Sequence, residues 1–228
     1  VRNARHRLAE LLDDPVPQPP PPLRFRAPAD PVDLPADDAG RPAGAATPPL
    51  LRATPVVVPG RRHLDRVEVG PRDRLLVTGP NGAGKTTLLQ VLASPAARAA
   101  RTRVSFLEQE VTFARPGLTP AELLRAMAGD DAPSVTDLGL LSAADAARPL
   151  AHLSVGQRRR VALALAVVRA PHVLLLDEPS NHLSLTLVED LEAALDVAPA
   201  AVVVATHDRW LRRRWHGREL RLAGGRPA

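Results

Sequence analysis

A glycine-rich segment with the spacing of a phosphate-binding loop carries the clearest chemical signal in the sequence. The segment is Gly79–Thr86, read GPNGAGKT, with four residues between its first glycine and the Gly-Lys-Thr triplet. Glycines let successive backbone N–H groups turn toward a phosphate, and a helix that follows presents its positive end to the same anion. Lys85 would bring a compact charge to the β- and γ-phosphates, and the Thr86 hydroxyl could ligate Mg²⁺. The segment therefore predicts a site for a nucleoside triphosphate and Mg²⁺.

Two carboxylates at the end of an apolar run supply the second half of such a site. Val173–Leu176 is fully apolar and is followed by Asp177 and Glu178. A short apolar run is typical of a buried parallel strand, and open α/β folds bind their ligands at the carboxyl ends of strands. We expect Asp177 to hold the Mg²⁺ shell and Glu178 to accept a proton from an attacking water. Alone, the pair fits two solvated acids equally well, but beside the phosphate-binding loop it predicts chemistry at a bound phosphate.

Lys85 is also the only lysine, since the other 29 of the 30 basic residues are arginine. A guanidinium is a wide planar fork, whereas an ammonium group is compact enough to lie among phosphate oxygens. The one position that keeps lysine is therefore the one where arginine would fit poorly.

The arginines are clustered, although the net charge of +5 is modest. Arg158–Arg160 and Arg212–Arg214 are the densest runs. A solvated helix face and a contact with a polyanion both fit such runs, so the two clusters are candidates for contact with RNA. Aromatic residues make up 2% of the chain. Arginine–phosphate contacts rather than base stacking would carry any such binding.

Several classes of protein are excluded by what the sequence lacks. It has no cysteine, which rules out a disulfide scaffold, a thiolate zinc site and cysteine catalysis, and fits a reducing compartment. The longest apolar run, Val161–Val168, has eight residues, whereas a membrane span needs about 18. We therefore expect no transmembrane segment, and no signal-peptide pattern is present. The start at Val1 rather than methionine leads us to expect a fragment of a longer protein.

Composition divides the chain near residue 60. Fourteen of the 25 prolines lie in residues 1–60, including the run Pro19–Pro22. Residues 1–22 are expected to be the end of a helix followed by a stiff proline-rich spacer, with a proline-motif ligand as the alternative. Residues 27–49 are rich in Ala, Pro, Asp and Gly, and we expect a flexible loop there.

From about residue 50 the pattern alternates between strands and helices, which predicts an α/β domain with a mostly parallel sheet. Thr119–Glu122 has the form of a helix start, with a threonine cap, a proline at the first position and a glutamate three residues on. A second helix should begin after Ser184, its apolar face marked by Val188, Leu191 and Leu195. The strands are expected at 74–78, 103–107, 173–176 and 201–205, and the helix after the phosphate-binding loop should contain Leu88, Leu89 and Leu92.

Three further motifs make the sequence resemble the ATP-binding-cassette (ABC) ATPases. Leu153–Gln157, read LSVGQ, is similar to the LSGGQ-type signature and opens a helical stretch. Gln109, in the run FLEQE, resembles the Q-loop glutamine, and His207, in the run ATHD, resembles the switch histidine. Together with the phosphate-binding loop and the two carboxylates, these motifs stand in the family's order over roughly residues 50–225.

A narrower resemblance is to the ABC-F subfamily. Asp177–Leu183, read DEPSNHL, is similar to the DEPTNHLD run of ABC-F proteins, and Gly156–Arg160 and Thr206–Arg209 also resemble ABC-F sequence. The opening helix and proline run resemble the end of the linker that joins two ABC-F cassettes. The resemblance therefore identifies the chain as the second, C-terminal cassette of such a protein, with the first cassette and most of the linker missing.

The resemblance implies the fold of a P-loop NTPase of the α/β class. A mostly parallel central sheet would be flanked by helices, with a small helical signature subdomain at about residues 110–170 and an antiparallel β edge. The nucleotide-binding domain would span residues 23–225, between the linker remnant at 1–22 and a tail at 226–228.

The resemblance also assigns residues to ATP and Mg²⁺. Glu178 would be the base, Gln109 would help to place Mg²⁺ and water, and His207 would contact the γ-phosphate. Thr86, Asp177 and Gln109 would hold Mg²⁺. ATP would be bound in this cassette by Gly79, Asn81, Gly82, Gly84, Lys85, Thr86 and Thr87, and in the partner's site by Ser154, Gly156 and Gln157.

A second cassette is the first partner that the resemblance implies, either the missing half of the same chain or a second copy. ATP would close the pair and hydrolysis would reopen it. ABC-F proteins are cytoplasmic, have no transmembrane domains and act on ribosomes, so the ribosome and its RNA would be the second partner, in translation or in antibiotic resistance. The alternatives are the soluble ATPase subunit of an ABC membrane transporter, and a degenerate cassette that binds ATP without turnover.

Two departures from the family pattern affect these expectations. Ser184 stands in place of the aspartate of the NHLD run, which would weaken communication between the two sites. No aromatic residue lies near Gly60–His63, where the family often has an adenine-stacking side chain, so an arginine or His63 would stack instead.

Overall fold

The computed structural model describes residues 48–54, 66–181, 183–223 and 226–227. The strands in this part of the chain are β1 (Leu51–Ala53), β2 (Val67–Val69), β3 (Arg74–Thr78), β4 (Val104–Leu107), β5 (Val173–Asp177), β6 (Ala201–Ala205), β7 (Arg218–Ala223) and β8 (Arg226–Pro227). The α-helices are α1 (Lys85–Ala93), α2 (Pro120–Ala128), α3 (Ala143–Ala146), α4 (Val155–Val168), α5 (Leu185–Val197) and α6 (Arg209–Arg214).

The larger sheet has the strand order β4–β5–β6–β3–β7–β8. The strands from β4 to β7 pair in parallel, and β8 pairs antiparallel with β7. A separate antiparallel sheet joins β1 to β2, with Leu51 opposite Val69. The predicted fold class, with a mostly parallel sheet and an antiparallel β edge, is confirmed.

The central strands are continuous apolar runs because both faces of the sheet are covered. All five residues of β5 and all five of β6 are buried. On one face Leu174 and Leu176 pack in a core that includes Leu163 of α4 and Leu191 of α5. On the other face the alternate residues of the same strands pack with α1. The period of two along each strand thus separates two cores, and α1 and α5 lie on opposite faces of the sheet.

Two helix starts have the caps that the sequence predicts. Thr119 Oγ1 accepts a hydrogen bond from the backbone N–H of Glu122, and Glu122 Oε2 accepts one from the N–H of Thr119 at 2.8 Å. Ser184 Oγ accepts a bond from the N–H of Leu187 at 3.4 Å at the start of α5. Each cap satisfies N–H groups that the first turn of a helix leaves without partners.

The helices α2, α3 and α4 lie between β4 and β5, in the stretch predicted to be helical. Their division from the rest as a signature subdomain stays a prediction. The predicted helix end, proline spacer and most of the predicted loop at 27–49 lie outside the described residues, as does His63. No helix among the described residues is long and apolar enough to cross a membrane.

Candidate functional site

Four neighbouring strands bring the predicted site residues to one edge of the sheet. The carboxyl ends of β4, β5, β6 and β3 are in register, since Leu107 pairs with Leu176, and Ala205 pairs with both Asp177 and Val77. The segments that follow these ends therefore meet at one edge, where ligands bind in open α/β folds. They carry Gln109, the two carboxylates, His207 and the phosphate-binding loop.

The phosphate-binding loop turns through three glycines whose φ angles are positive. The values are 152° at Gly79, 76° at Gly82 and 99° at Gly84, a region that residues with a side chain rarely adopt. Gly79 is also fixed by space, because a Cβ there would lie 2.5 Å from the backbone oxygen of Leu222. Gly84 caps α1, and Gly84, Lys85 and Thr86 all line one cleft. The N-terminus of α1 therefore opens onto that cleft, as an anion-binding helix end must.

Lys85 is the first residue of α1 and is 7% exposed. Its ammonium donates hydrogen bonds to the backbone oxygens of Gly79, at 3.0 Å, and Pro80, at 3.4 Å. It also lies 3.8 Å from Glu178 Oε1. Lys85, the one lysine of the chain, thus lies inside the phosphate-binding loop, as the sequence predicts.

Glu178 is held at the end of β5 by groups from the end of β6. Its Oε1 lies 2.8 Å from His207 Nδ1, and its Oε2 accepts hydrogen bonds from the Thr206 hydroxyl at 3.1 Å and from the His207 N–H at 3.4 Å. The side chain is 5% exposed, and its backbone φ of 49° is left-handed. A non-glycine residue in this conformation is strained, and such strain is concentrated at functional sites.

Asp177 is completely buried, yet among the described residues neither of its carboxylate oxygens has a hydrogen-bond partner of normal geometry. Burial raises the pKa of Asp177, and the nearby Thr86 hydroxyl and Lys85 oppose that rise. A buried carboxylate without donors is costly unless a cation balances it. Mg²⁺ takes one or two carboxylates together with phosphate oxygens and waters, so Asp177 and Thr86 fit its requirements.

One cleft of about 390 Å³ joins most of these groups. Gly79 and Asp177 do not line the cleft themselves, and neither do Ser154, Gly156 and Gln157 of the signature. The cleft is lined by Asn81, Gly82, Gly84, Lys85, Thr86, Thr87, Gln109, Glu178, Asn181 and His207.

The signature lies at the exposed start of α4. Ser154 Oγ accepts a hydrogen bond from the N–H of Gln157 at 3.2 Å, and Gln157 Oε1 accepts one from the N–H of Ser154 at 2.8 Å. The two side chains thus form a capping box, and Val155 between them is 56% exposed. The signature is therefore available to another molecule and not to this cassette's own cleft.

Both readings of the run Arg158–Arg160, a solvated helix face and a candidate contact with RNA, fail for its middle residue. Arg159 is 3% exposed, so its side chain lies in the interior of the protein. Its guanidinium donates to four backbone oxygens at the ends of β4 and β5, two of which belong to Gln109 and Glu178. This buried side chain therefore cannot contact a polyanion at the surface.

The second arginine run is partly occupied by ion pairs. Arg212 Nε lies 2.8 Å from Glu219 Oε1, and Arg214 Nε lies 3.1 Å from Glu192 Oε2. The Arg214 guanidinium also lies 4.7 Å from the centre of the Trp210 ring. Contact of this run with RNA stays a prediction.

Three residues of the site were not among the predicted site residues. Asn181 lines the cleft, Thr206 binds the Glu178 carboxylate, and Arg159 binds the backbone at two strand ends. Asn181 and Thr206 stand next to motifs that the sequence does reveal, and that proximity was the available signal. No local pattern marked Arg159, because its partners lie 18 to 51 residues away.

Comparison with known proteins agrees with the resemblance of the sequence motifs to ABC ATPases. Residues 65–181 match the family described as ABC transporter. The solved structure titled as the dimeric post-hydrolysis state of the ATP-binding cassette MJ0796 bound to ADP and Pi has a TM-score of 0.56 and 21% identity, covering 78% of this chain and 94% of its own. At 21% identity, this similarity is evidence for the fold alone.

Two curated relatives are more similar to this chain in sequence than the solved structure is. The tylosin resistance ATP-binding protein TlrC of Streptomyces fradiae is 40% identical over 99% of this chain and 41% of its own length. The ribosome protection protein VmlR of Bacillus subtilis is 32% identical over 60% of this chain and 27% of its own length. The chain thus spans less than half the length of either relative. It belongs to the ABC family of ATP-binding cassettes, and both of these relatives are members of the ABC-F family.

Proposed function

We propose that this chain is an ATP-hydrolysing cassette that works in a pair with a second cassette and serves a protein acting on ribosomes. The observation that carries the proposal is the cleft in which Lys85, Glu178 and His207 meet beside the open N-terminus of α1. Three neighbouring strand ends supply these groups, and the arrangement suits the binding and cleavage of a terminal phosphate.

ATP is bound through its phosphates in this proposal. The N–H groups of Gly82–Thr87 and the positive end of α1 receive the phosphate oxygens. Lys85 exchanges the carbonyls of its own loop for the β- and γ-phosphates. Thr86 and Asp177 would hold Mg²⁺, together with Gln109, which lines the cleft. The ion would supply charge neutralisation at the phosphates when bound.

Glu178 is the base that accepts a proton from the attacking water. Its Oε1 is engaged by the His207 ring at 2.8 Å, and its Oε2 by Thr206. When His207 turns to the γ-phosphate, Oε1 becomes free to accept the proton, while Thr206 still holds the other oxygen. Gln109, which borders the same cleft, orients the water.

The second cassette completes the site from outside. Ser154, Gly156 and Gln157 lie away from this cassette's cleft at the exposed start of α4. They are assigned to the nucleotide held by the partner, whose own signature would cover the cleft described here. Whether the partner is a second copy or another half of a longer chain, the pair is the active unit, and in it this chain takes the place of the second cassette.

A role at the ribosome is supported by the name of one relative, and we propose that this role is carried out in the cytoplasm. VmlR is named as a ribosome protection protein and TlrC as a tylosin resistance protein. An ATP-driven change in the pair would bind or release the ribosome. The test is sedimentation: the paired protein should pellet with ribosomes when ATP is present and turnover is blocked. Co-purification with a membrane protein and no ribosome binding would support the transporter alternative instead.

The hydrolytic role is tested by the variant Glu178→Gln. It keeps the size of the side chain but removes the basic carboxylate, so kcat of the pair should fall by about a hundredfold or more while ATP affinity is kept. Glu189→Gln changes the same residue type at an exposed position of α5 and serves as the matched control. Normal turnover by the Glu178 variant would show that another group is the base.

A further inference from the structure

Arg159 makes a set of contacts that the proposed function leaves unexplained. Its Nη1 donates to the backbone oxygens of Gln109 at 2.6 Å and Glu108 at 3.4 Å. Its Nη2 donates to the backbone oxygens of Asp177 at 2.7 Å and Glu178 at 2.5 Å. One planar group therefore fastens the segments that follow β4 and β5 to each other, and both to α4.

The burial of this charge is costly. Arg159 is 3% exposed, and burial lowers its pKa, while the charges of Asp177 and Glu178 oppose that effect. Its four partners are carbonyl oxygens, and its Nε has no partner. An apolar side chain of similar size often fills a buried position with equal or greater stability. What a guanidinium offers instead is a rigid fork whose donors hold two separate backbones at a fixed distance.

The two segments that Arg159 holds are the ones that carry the proposed chemistry. Gln109 and Glu178 both border the cleft. Arg159 itself lies on α4, five residues after Ser154, within the first turns of the helix that the signature opens. A helix moves as a rigid body over this length, so a shift of the signature carries the Arg159 fork with it.

We propose that Arg159 is a positioning residue through which the signature helix sets the places of Gln109 and Glu178 in the cleft of its own cassette. The inference rests on the proposed function, because the signature is there taken to meet the nucleotide of the second cassette. Contact of the signature with that nucleotide would shift α4, and the Arg159 guanidinium would move with the helix. This movement would bring Gln109, which orients the water, and Glu178, the base, into position. Hydrolysis at one site would thus depend on occupation of the other.

The test compares Arg159→Lys and Arg159→Met in the assembled pair. Lysine keeps the charge but its single ammonium cannot span both backbones, and methionine keeps only the apolar length. Arg169→Lys and Arg169→Met are the controls, since Arg169 ends the same helix and is exposed. Each variant is measured for ATP affinity, ATP-dependent pairing and kcat, at a temperature below its own unfolding transition.

The expected result is a split between binding and turnover. Arg159→Lys should lower kcat about tenfold and Arg159→Met about a hundredfold, while ATP affinity and pairing change less than about threefold. The Arg169 variants should leave all three quantities within about twofold of the unchanged protein. Unchanged kcat in Arg159→Lys would overturn the inference. So would a loss of ATP affinity and pairing as large as the loss of kcat, because Arg159 would then support only the fold.

A second readout separates this inference from the proposed function. If the unchanged pair does not hydrolyse ATP at all, the proposed function fails, and amide hydrogen exchange then tests Arg159. A non-hydrolysable ATP analogue should slow exchange at residues 108–109 and 177–178 in the unchanged pair but not in Arg159→Lys. Equal slowing in both would show that the segments are positioned without the arginine.

Discussion

Replacing Lys85 by arginine keeps a positive charge in the phosphate-binding loop but changes its shape. The Lys85 ammonium lies among three oxygens, at 3.0 Å from that of Gly79, 3.4 Å from that of Pro80 and 3.8 Å from Oε1 of Glu178. A compact group with three rotatable donors can serve acceptors placed around one point, whereas a guanidinium directs its donors outward in one plane. We therefore expect Lys85→Arg and Lys85→Ala alike to lose most of the ATP affinity.

The size of the loss follows from the bonds that are exchanged. Hydrogen bonds from a charged group contribute about 1.5 to 3 kcal/mol each, and neutral carbonyl partners about 1 kcal/mol. If Lys85 gives up two carbonyls for two phosphate oxygens, its net contribution to ATP binding is about 1 to 4 kcal/mol. That range corresponds to a rise in Kd of roughly 5- to 700-fold for either substitution. Without nucleotide, Glu178 keeps its bonds from His207 and Thr206, so the variants should lose only about 1 to 2 kcal/mol of stability.

Calorimetry with ATP and Mg²⁺ measures the affinity, and thermal unfolding checks that each variant is folded. The single lysine allows an independent readout, because an amine-directed reagent can modify only Lys85 and the chain's amino terminus. ATP should protect Lys85 from modification and leave the amino terminus unprotected, which peptide mass spectrometry can follow. A Lys85→Arg protein whose Kd for ATP stays within about threefold of the original would refute the claim that this position requires a compact ammonium group. The lone lysine would then be an accident of composition.

Three further predictions concern stability, measured by urea unfolding. Burial raises the pKa of Asp177 above its ordinary 3.8, so its charge destabilises the folded state as pH rises through the folded pKa. Asp177→Asn should therefore stabilise the Mg²⁺-free protein at neutral pH, and this gain should disappear as the pH falls toward 3.8. The same variant should bind Mg²⁺-ATP more weakly. An Asn variant that is less stable than the original protein at neutral pH would contradict the reasoning. Gly79→Ala should cost about 2 kcal/mol or more because its Cβ would lie 2.5 Å from the Leu222 oxygen, whereas Gly117→Ala, with nothing within 4 Å, should cost under about 1 kcal/mol; equal costs would refute the steric argument. Thr119→Ala should cost about 1 kcal/mol through the lost capping box of α2 without changing ATP affinity, and a shift in Kd would be the adverse result.

The edge of the sheet could be predicted because its strands are short, fully apolar and closed by polar residues. The predicted run 201–205 is β6 in full, and the predicted run 173–176 is β5 without Asp177. Strands buried on both faces need continuous apolar sequence, which is why their ends are sharp in this chain. The site residues follow from those ends, since chemistry-bearing side chains directly after parallel strands share one edge.

The position of Arg159 could not be predicted in the same way. Arg158, Arg159 and Arg160 are adjacent, and a helix turns about 100° per residue, so the three side chains point in different directions. Which of them is buried depends on contacts with Glu108–Gln109 and Asp177–Glu178, far away in the sequence. A count of charges treats the three alike. The left-handed backbone of Glu178 is unpredictable for a related reason, because tertiary contacts and not a glycine hold it there.

Without nucleotide, three of the polar residues that line the cleft, Lys85, Glu178 and His207, find their partners within the protein. Glu178 Oε1 is engaged by His207, its Oε2 by Thr206, and Lys85 by the carbonyls of its own loop. The Asp177 carboxylate, beside the cleft, is buried and has no hydrogen-bond partner of normal geometry among the described residues. Mg²⁺ and the phosphates of ATP offer partners to both Asp177 and Lys85, so their binding would balance the buried carboxylate and replace neutral acceptors with charged ones. In the proposed mechanism, turnover also requires His207 to leave Glu178, and the γ-phosphate would be its alternative partner. The contacts seen without nucleotide would then make the release of the proposed base depend on the presence of ATP.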